Sequence, residues 1–313
     1  MKKYGFGVDI GGTSCKIGLF ETTGRLVEKW EIPTDTREGG KNILPNIAKS
    51  LQNKMSERGI AERELEGIGV GLPGPVRMDG IVPVCVNLGW KNMDVSKELG
   101  SLMHGILVEA GNDANVAALG EMWQGGGKGC ENVVMVTLGT GVGGGIIVNG
   151  KIVSGSNGAG GEIGHMTVDS QEKVFCNCGR KGCLEQYASA TGIARLARER
   201  LALEHEKSLL DQAGKVSAKT VFDTYKEGDA VAGEIVDQFA RILGTALSNI
   251  ACVADPEVFV IGGGVSKAGK PLLDAVEKYY RKAAFSPCAD TRFTLAALGN
   301  DAGMYGCMKL ILN

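Results

Sequence analysis

The chain has no excess of positive charge: 34 Lys and Arg stand against 36 Asp and Glu, a formal net charge of −2. Such a surface offers no basic field to gather nucleic acid or anionic lipid. No apolar run approaches the roughly eighteen residues that a membrane-spanning helix needs. The opening "MKKYGFGVDIGGT" is too short and too glycine-broken for a secretory signal. Linkers and low-complexity tracts are also missing. These absences predict a cytoplasmic globular protein without a nucleic-acid or membrane partner. At 313 residues, 43% of them apolar and 22% charged, the chain is long enough for two packed domains.

Two residue types are plentiful. Glycine accounts for 48 of the 313 residues, about twice the usual share. It gathers in short runs at the ends of apolar stretches, where tight turns or close approach to a ligand call for it. There are nine cysteines, an odd number, with no disulfide framework in view. Cys15, Cys85, Cys130, Cys252, Cys288 and Cys307 stand singly among apolar or glycine-rich neighbours and are expected to be small buried hydrophobes. The other three fall within "HMTVDSQEKVFCNCGRKGCLE", between His165 and Glu185.

The N-terminus reads as three strands joined by turns: "YGFGVDI", "GGT", "CKIGLF", "ETTGR" and "LVEKWEI". A helix is expected over Asn42–Arg58, where Ile43, Ile47, Leu51 and Met55 recur every four residues. "GIGVGLPGPV" then reads as a buried strand ending in a turn. The same order begins again near Asn132 with "NVVMVTL", "GTGVG", "GGIIVNG" and "KIVSG", and later "PEVFVI" leads through "GGGVS" into the helix "PLLDAVEKYYRKAA". Two halves that open alike suggest an internal duplication with a ligand cleft.

Three glycine turns carry the chemistry. "DIGGTSCK" lacks the Gly-Lys-Ser/Thr ending of a P-loop, yet its bare N–H groups could face an anion; alone it could equally be an ordinary hairpin turn. "GTGVGG" matches the dinucleotide fingerprint, but β-branched strand follows it where a Rossmann site requires a helix. "GGGVS" does pass from strand to helix. Together the three form a phosphate-cradle signal.

"DIGGTSCK", "GTGVGGGII" and "VIGGGVS" resemble the phosphate and adenosine loops of the actin-like ATPase superfamily. With "LPGPV", "GNDANVAALGE", "GGEIGH" and "CNCGRKGCLE" they resemble the ROK family (repressors, open reading frames, sugar kinases) over nearly the whole chain, and "NLGW" and "EIGHMTV" favour its glucokinase branch. Many relatives carry proline before the asparagine of "NLGW", where this chain has Val86. The resemblance implies an α/β, two-domain, actin-like ATPase (ribonuclease H-like) fold with a duplicated βββαβα core and a central cleft. Residues 1–112 with about 300–313 would form the smaller domain, and 113–299 the larger.

It further implies ATP-dependent phosphorylation of glucose at its 6-hydroxyl, with Mg²⁺ on the β- and γ-phosphates. Asp113 would be the general base, although an acid at a helix head is most often a cap. Gly74, Asn87, Asn112, Asp113, Glu162, His165 and Glu185 would hold the sugar, whose vicinal hydroxyls suit carboxylates and amides. Arbitrary glutamates such as Glu162 and Glu185 are usually solvated surface; here their spacing to His165 and Cys183 argues otherwise. Asp9 would lie near the magnesium water shell. Gly11, Gly12, Thr13, Lys16, Thr140 and Gly141 would meet the phosphates, and Gly263 the adenosine. The family also favours homodimers and homotetramers.

His165, Cys176, Cys178 and Cys183 suit tetrahedral Zn²⁺, and a complete Cys₃His shell leaves no place for a catalytic water. The metal is therefore expected to be structural. It would pin the loop carrying Glu162 and Glu185, with one His165 nitrogen on zinc and the other toward the sugar. A rival reading is a kinase for another hexose or N-acetylhexosamine, such as N-acetylmannosamine, N-acetylglucosamine, fructose or mannose. Another is a sugar-responsive ROK repressor, whose DNA-binding domain would need room ahead of Asp9. A zinc module for protein or nucleic acid would leave the three glycine turns unexplained.

Overall fold

The first three apolar runs form β1 (Tyr4–Ile10), β2 (Ser14–Glu21) and β3 (Leu26–Pro33), paired antiparallel in that order. In this computed structural model residues 2–77, 79–203 and 206–312 are described. After the short α1 (Arg37–Gly40) comes α2 (Ile43–Arg58), whose Ile43, Ile47, Leu51 and Met55 are all buried as the four-residue spacing requires. β4 (Leu65–Leu72), the hairpin β5 (Ile81–Cys85) and β6 (Trp90–Asp94), α3 (Val95–Leu102), β7 (Val108–Asn112) and α4 (Asp113–Gln124) follow. β4 runs parallel to β1, and β7 parallel to β4. The sheet order is β3-β2-β1-β4-β7. Parallel strands finish at the same edge, so Asp9, Leu72 and Asn112 reach one side of this sheet, where α/β sheets place their ligands.

The second half repeats the plan with β8 (Val133–Leu138), β9 (Val142–Val148) and β10 (Lys151–Ile152). Next come α5 (Glu185–Ala188), α6 (Ala190–Leu201), α7 (Ala218–Lys226), α8 (Ala230–Ala254), β11 (Val258–Gly262), α9 (Lys270–Ala283), β12 (Arg292–Leu295) and α10 (Ala302–Leu310). Here the order is β10-β9-β8-β11-β12, with β11 parallel to β8 and β12. In both sheets the strands stand third, second, first, fourth, fifth in order of appearance. The duplication expected from the glycine-turned triples is thus present, and "GTGVGG" leads into strand, as the β-branched residues after it require.

The chain divides into two units, Met1–Glu131 with Gly145–Gly161 and Ala297–Asn313, and Asn132–Gly144 with Glu162–Ala296. Residues 113–131 and 145–161, expected in the larger domain, fall in the first unit. The reason is close packing of α4: a Cβ on Gly120 would overlap the Ala302 carbonyl, one on Gly306 the Val116 carbonyl, and one on Gly145 the Ala118 methyl. The first unit's core is built from Phe6, Val8, Ile17, Leu19, Ile68 and Val70 of its sheet with Ile47 and Leu51 of α2. In the second, Phe259 and Tyr280 meet edge to face at 5.4 Å, and the Tyr280 hydroxyl donates to the Cys288 carbonyl at 2.6 Å.

Of the six scattered cysteines five are buried, as expected, while Cys252 is exposed. It lies on the solvent side of α8, beside buried Ala251 and exposed Val253. No helix among the described residues is long and apolar enough to cross a membrane.

Candidate functional site

Asp9 sits at the end of β1, just before the turn of Gly11, Gly12 and Thr13. That turn is held by the Gly11 N–H on the Ser14 carbonyl at 2.9 Å and by the Thr34 hydroxyl on the Gly11 carbonyl at 2.7 Å. Gly12 and Thr13 are exposed, and nothing lies within 4 Å of where a Gly12 Cβ would stand. The Thr13 carbonyl accepts from the Thr34 N–H at 3.0 Å, so the open part of the turn is the backbone around Gly12. Lys16, one strand further, donates from Nζ to the Asn300 carbonyl at 3.3 Å.

Asp113 begins α4, and Asn112 is the cap. Asn112 Oδ1 accepts from the N–H groups of Ala114 and Asn115 at 3.0 and 3.1 Å, while its Nδ2 donates to the Gly74 carbonyl at 3.0 Å. Gly74 has φ 104°, a conformation that only glycine adopts without strain, and its backbone lies against the end of the β5 strand at Val84. Asn87 follows that strand in a short turn and is exposed. Asp113 accepts from the Ala114 N–H at 2.8 Å.

The charge of Asp113 is felt at Asp9. Burial, then the charge of Asp113, pushes Asp9 up to about 6, against a smaller pull downward from Lys16. Protein packed around Asp113 raises its carboxyl too, although solvent reaches it and the Ala114 N–H opposes the shift. Two acids thus stand at the strand ends of one sheet, Asp113 open to solvent and Asp9 largely covered.

In the second unit Glu185 heads α5 and grips the other glycine turn. Its Oε2 accepts from the Val142 N–H at 3.0 Å, and a Cβ on Gly141 would overlap that oxygen. The Thr191 hydroxyl donates to the Thr140 carbonyl at 2.8 Å, and the Ala190 N–H to the Gly139 carbonyl at 2.8 Å. Glu185, expected on the sugar, is thus also part of the Thr140–Gly141 turn. Gly263 has φ 83°, and a Cβ there would stand 2.5 Å from the Leu138 carbonyl oxygen.

Beyond these turns lies a cavity of about 510 Å³, lined by Thr140, Gly264 and Val265 together with Arg198, Lys215 and Phe222. The last three were missed by sequence reasoning. The one signal available was the recurrence of Lys215, Lys219 and Lys226 around α7, a cationic rim with Phe222 buried among it.

The side-chain donors of His165, Cys176, Cys178 and Cys183 all lie within 4.8 Å of one another. Cys178 and Cys183 sulfurs are 3.6 Å apart, and Cys176 Sγ is 3.9 Å from His165 Nδ1. Tetrahedral zinc with Zn–S bonds near 2.3 Å would place its sulfurs about 3.8 Å apart, so the cluster fits the ion in both chemistry and size. His165 turns Nδ1 toward the thiols, leaving Nε2 for another partner. Cys176 also points its thiol at Glu185 Oε1, 3.8 Å away. Glu162 is exposed at the start of the His165 turn, whose His165 N–H donates to the Glu162 carbonyl at 3.1 Å.

The loop's base is tied by the Tyr187 hydroxyl, which donates to Glu172 at 2.7 Å and Asp169 at 2.9 Å, and by the Arg195–Glu172 pair at 2.9 Å. Burial would raise Glu172, but the Val174 N–H, Tyr187 and Arg195 outweigh it and bring the carboxyl down to about 2.

The profile of the ROK family matches residues 5–313. A glucokinase of Halalkalibacterium halodurans is 47% identical over 306 residues, 96% of this chain and 92% of that protein. The ROK hexokinase of Thermus thermophilus superposes with a TM-score of 0.80 at 30% identity, covering 98% of this chain and 97% of that one. A ROK family glucokinase of Streptomyces griseus, solved in complex with glucose and AMPPNP, does so at 0.72 and 31%, covering 98% of both. With its duplicated sheets, its glycine turns and a family match that runs nearly from end to end, this chain belongs to the ROK family.

Proposed function

We propose that the protein transfers the γ-phosphoryl group of ATP to the 6-hydroxyl of glucose. The observation that carries this reading is the placement of two carboxylates, Asp9 and Asp113, at the strand ends of one sheet, beside the glycine turn at 11–13 and where Asn112 binds Gly74. It is supported by the glucokinases among the relatives.

Asp113 takes the proton of the sugar hydroxyl as the phosphoryl group arrives; its raised carboxyl makes it a better proton acceptor than a solvated aspartate. Gly74, Asn87, Asn112, Glu162, His165 and Glu185 orient the sugar hydroxyls. Gly11, Gly12, Thr13, Thr140 and Gly141 supply backbone and hydroxyl donors to the phosphates, Lys16 adds a positive charge, and Gly263 borders the adenosine. Asp9 is the carboxylate that would stand nearest a magnesium ion brought in with the nucleotide, whose charge would offset that of the phosphates. A zinc ion at His165, Cys176, Cys178 and Cys183 would order the loop that presents Glu162 and Glu185.

A coupled ADP-release assay with Mg-ATP across a panel of hexoses and N-acetylhexosamines tests the proposal. Glucose is expected to give the highest kcat/KM. Turnover confined to another sugar would move the substrate within the family, and no sugar-dependent ADP release would end the kinase reading.

A further inference from the structure

Glu121 closes the "GNDANVAALGE" run and takes no part in the roles assigned above. It is completely buried, and backbone N–H groups hold it: Oε2 accepts from Gly126 at 2.8 Å and Ala297 at 2.9 Å, Oε1 from Leu298 at 2.8 Å. Burying a carboxylate is costly unless its oxygens are fully hydrogen-bonded. Here three peptide donors from two distant stretches meet that need, and the result is a fixed start for the segment 297–303.

That segment touches both functional side chains of the first glycine turn. The Asn300 carbonyl receives Lys16 Nζ, and Asp301 pairs with Lys29 at 2.6 Å. At Gly303 a Cβ would stand 2.5 Å from Asp9 Oδ2 and 2.7 Å from its Cγ, so the bare Gly303 backbone is what Asp9 rests against. Moving 297–303 would therefore move the two groups proposed to face magnesium and phosphate.

We infer that Glu121 is a positioning residue for the metal–nucleotide half of the site, acting through 297–303 and Gly303 to set the carboxylate of Asp9 and the place of Lys16. The inference rests on the kinase reading above. It assigns a task to a buried charge that packing alone would not select, since apolar residues of similar volume are at least as stable in such places.

The test uses the full chain and two binding measurements, MgADP and glucose dissociation constants by calorimetry, beside kcat. Glu121→Gln turns one acceptor into a donor facing a peptide N–H. It is expected to weaken MgADP about tenfold, the usual cost of disturbing a residue that supports a metal-binding group, with glucose affinity unchanged. Glu121→Asp, which keeps the charge, should recover part of the loss. Gly303→Ala leaves the buried carboxylate intact and should give the same nucleotide-selective loss, which checks the contact of 303 with Asp9; Glu121→Asp, still weaker than the parent for MgADP alone, decides the matter if Glu121→Gln does not fold. Parent-like MgADP affinity in the folded variants, or equal losses for MgADP and glucose, would overturn the positioning role while the kinase reading stood. A parent chain that binds no MgADP would overturn both.

Discussion

Asp9 and Asp113 carry most of the testable chemistry at the scale of single residues. Asp113→Asn removes the proposed base and keeps the shape. Turnover should fall about a thousandfold while glucose affinity by calorimetry stays close to that of the parent; near-normal rates would show that another group takes the proton. Asp9 offers a test in stability. In the folded protein its carboxyl keeps a proton up to about 6, against an ordinary value of 3.8. The native state binds that proton more tightly than the unfolded chain, so ionised Asp9 costs stability above pH 6, and the cost fades as pH falls toward 4. Asp9→Asn should therefore be more stable than the parent at pH 8, by on the order of 3 kcal/mol, and no more stable at pH 4. Denaturant melts at the two values check this; a difference independent of pH would mean that Asp9 is not strained. The same variant should lose activity, because the strained charge is the useful one.

Among elements, the loop from His165 to Glu185 is where the proposed zinc would matter. Phe175 and Val174 are exposed, and Cys178 lies at the surface, so few apolar contacts hold the tip. Removing metal with a strong chelator should weaken glucose binding by at least about tenfold and raise amide hydrogen exchange over 165–185, while α8 stays protected. Unchanged exchange and affinity in the metal-free protein would show that the Tyr187–Glu172–Arg195 network is enough. This loop was readable in the sequence because its four donors lie close together along the chain and the chemistry of thiols and imidazole is specific. Glu185 was only half readable. Its place after Cys183 marked it, but its bond to the Val142 N–H joins residues 43 apart. Lys16 shows the same limit: its partner Asn300 is 284 residues away, a pairing that no local pattern records.

For the whole molecule, the repeated strand order was legible because each copy opens with the same glycine-turned triple and each turn has its own residue signature. The unit boundaries were not. They depend on α4 lying against α10, and glycine at 120 and 306 shows only that something comes close, without naming it. The Arg198, Lys215 and Phe222 wall of the 510 Å³ cavity was likewise hidden, because Arg198 comes from α6, Phe222 from α7 and Lys215 from the segment that precedes α7. A ligand that binds the native state alone raises the stability of the entire fold. Glucose at a hundred times its dissociation constant should add about 2.7 kcal/mol, seen as a rise in melting temperature that sugars outside the specificity range do not produce. Equal shifts with every sugar would point to general solute exclusion.

The crossing of α4 and α10 also matters to anyone who trims or fuses this protein. Where Gly120 and Gly306 let two backbones touch, no side chain remains to act as a cushion. The last helix, which looks dispensable on a linear map, serves as the floor beneath the helix that begins with Asp113. Deleting it, or anchoring a bulky fusion there, would be felt far earlier in the sequence as a loss of aim at Asp113.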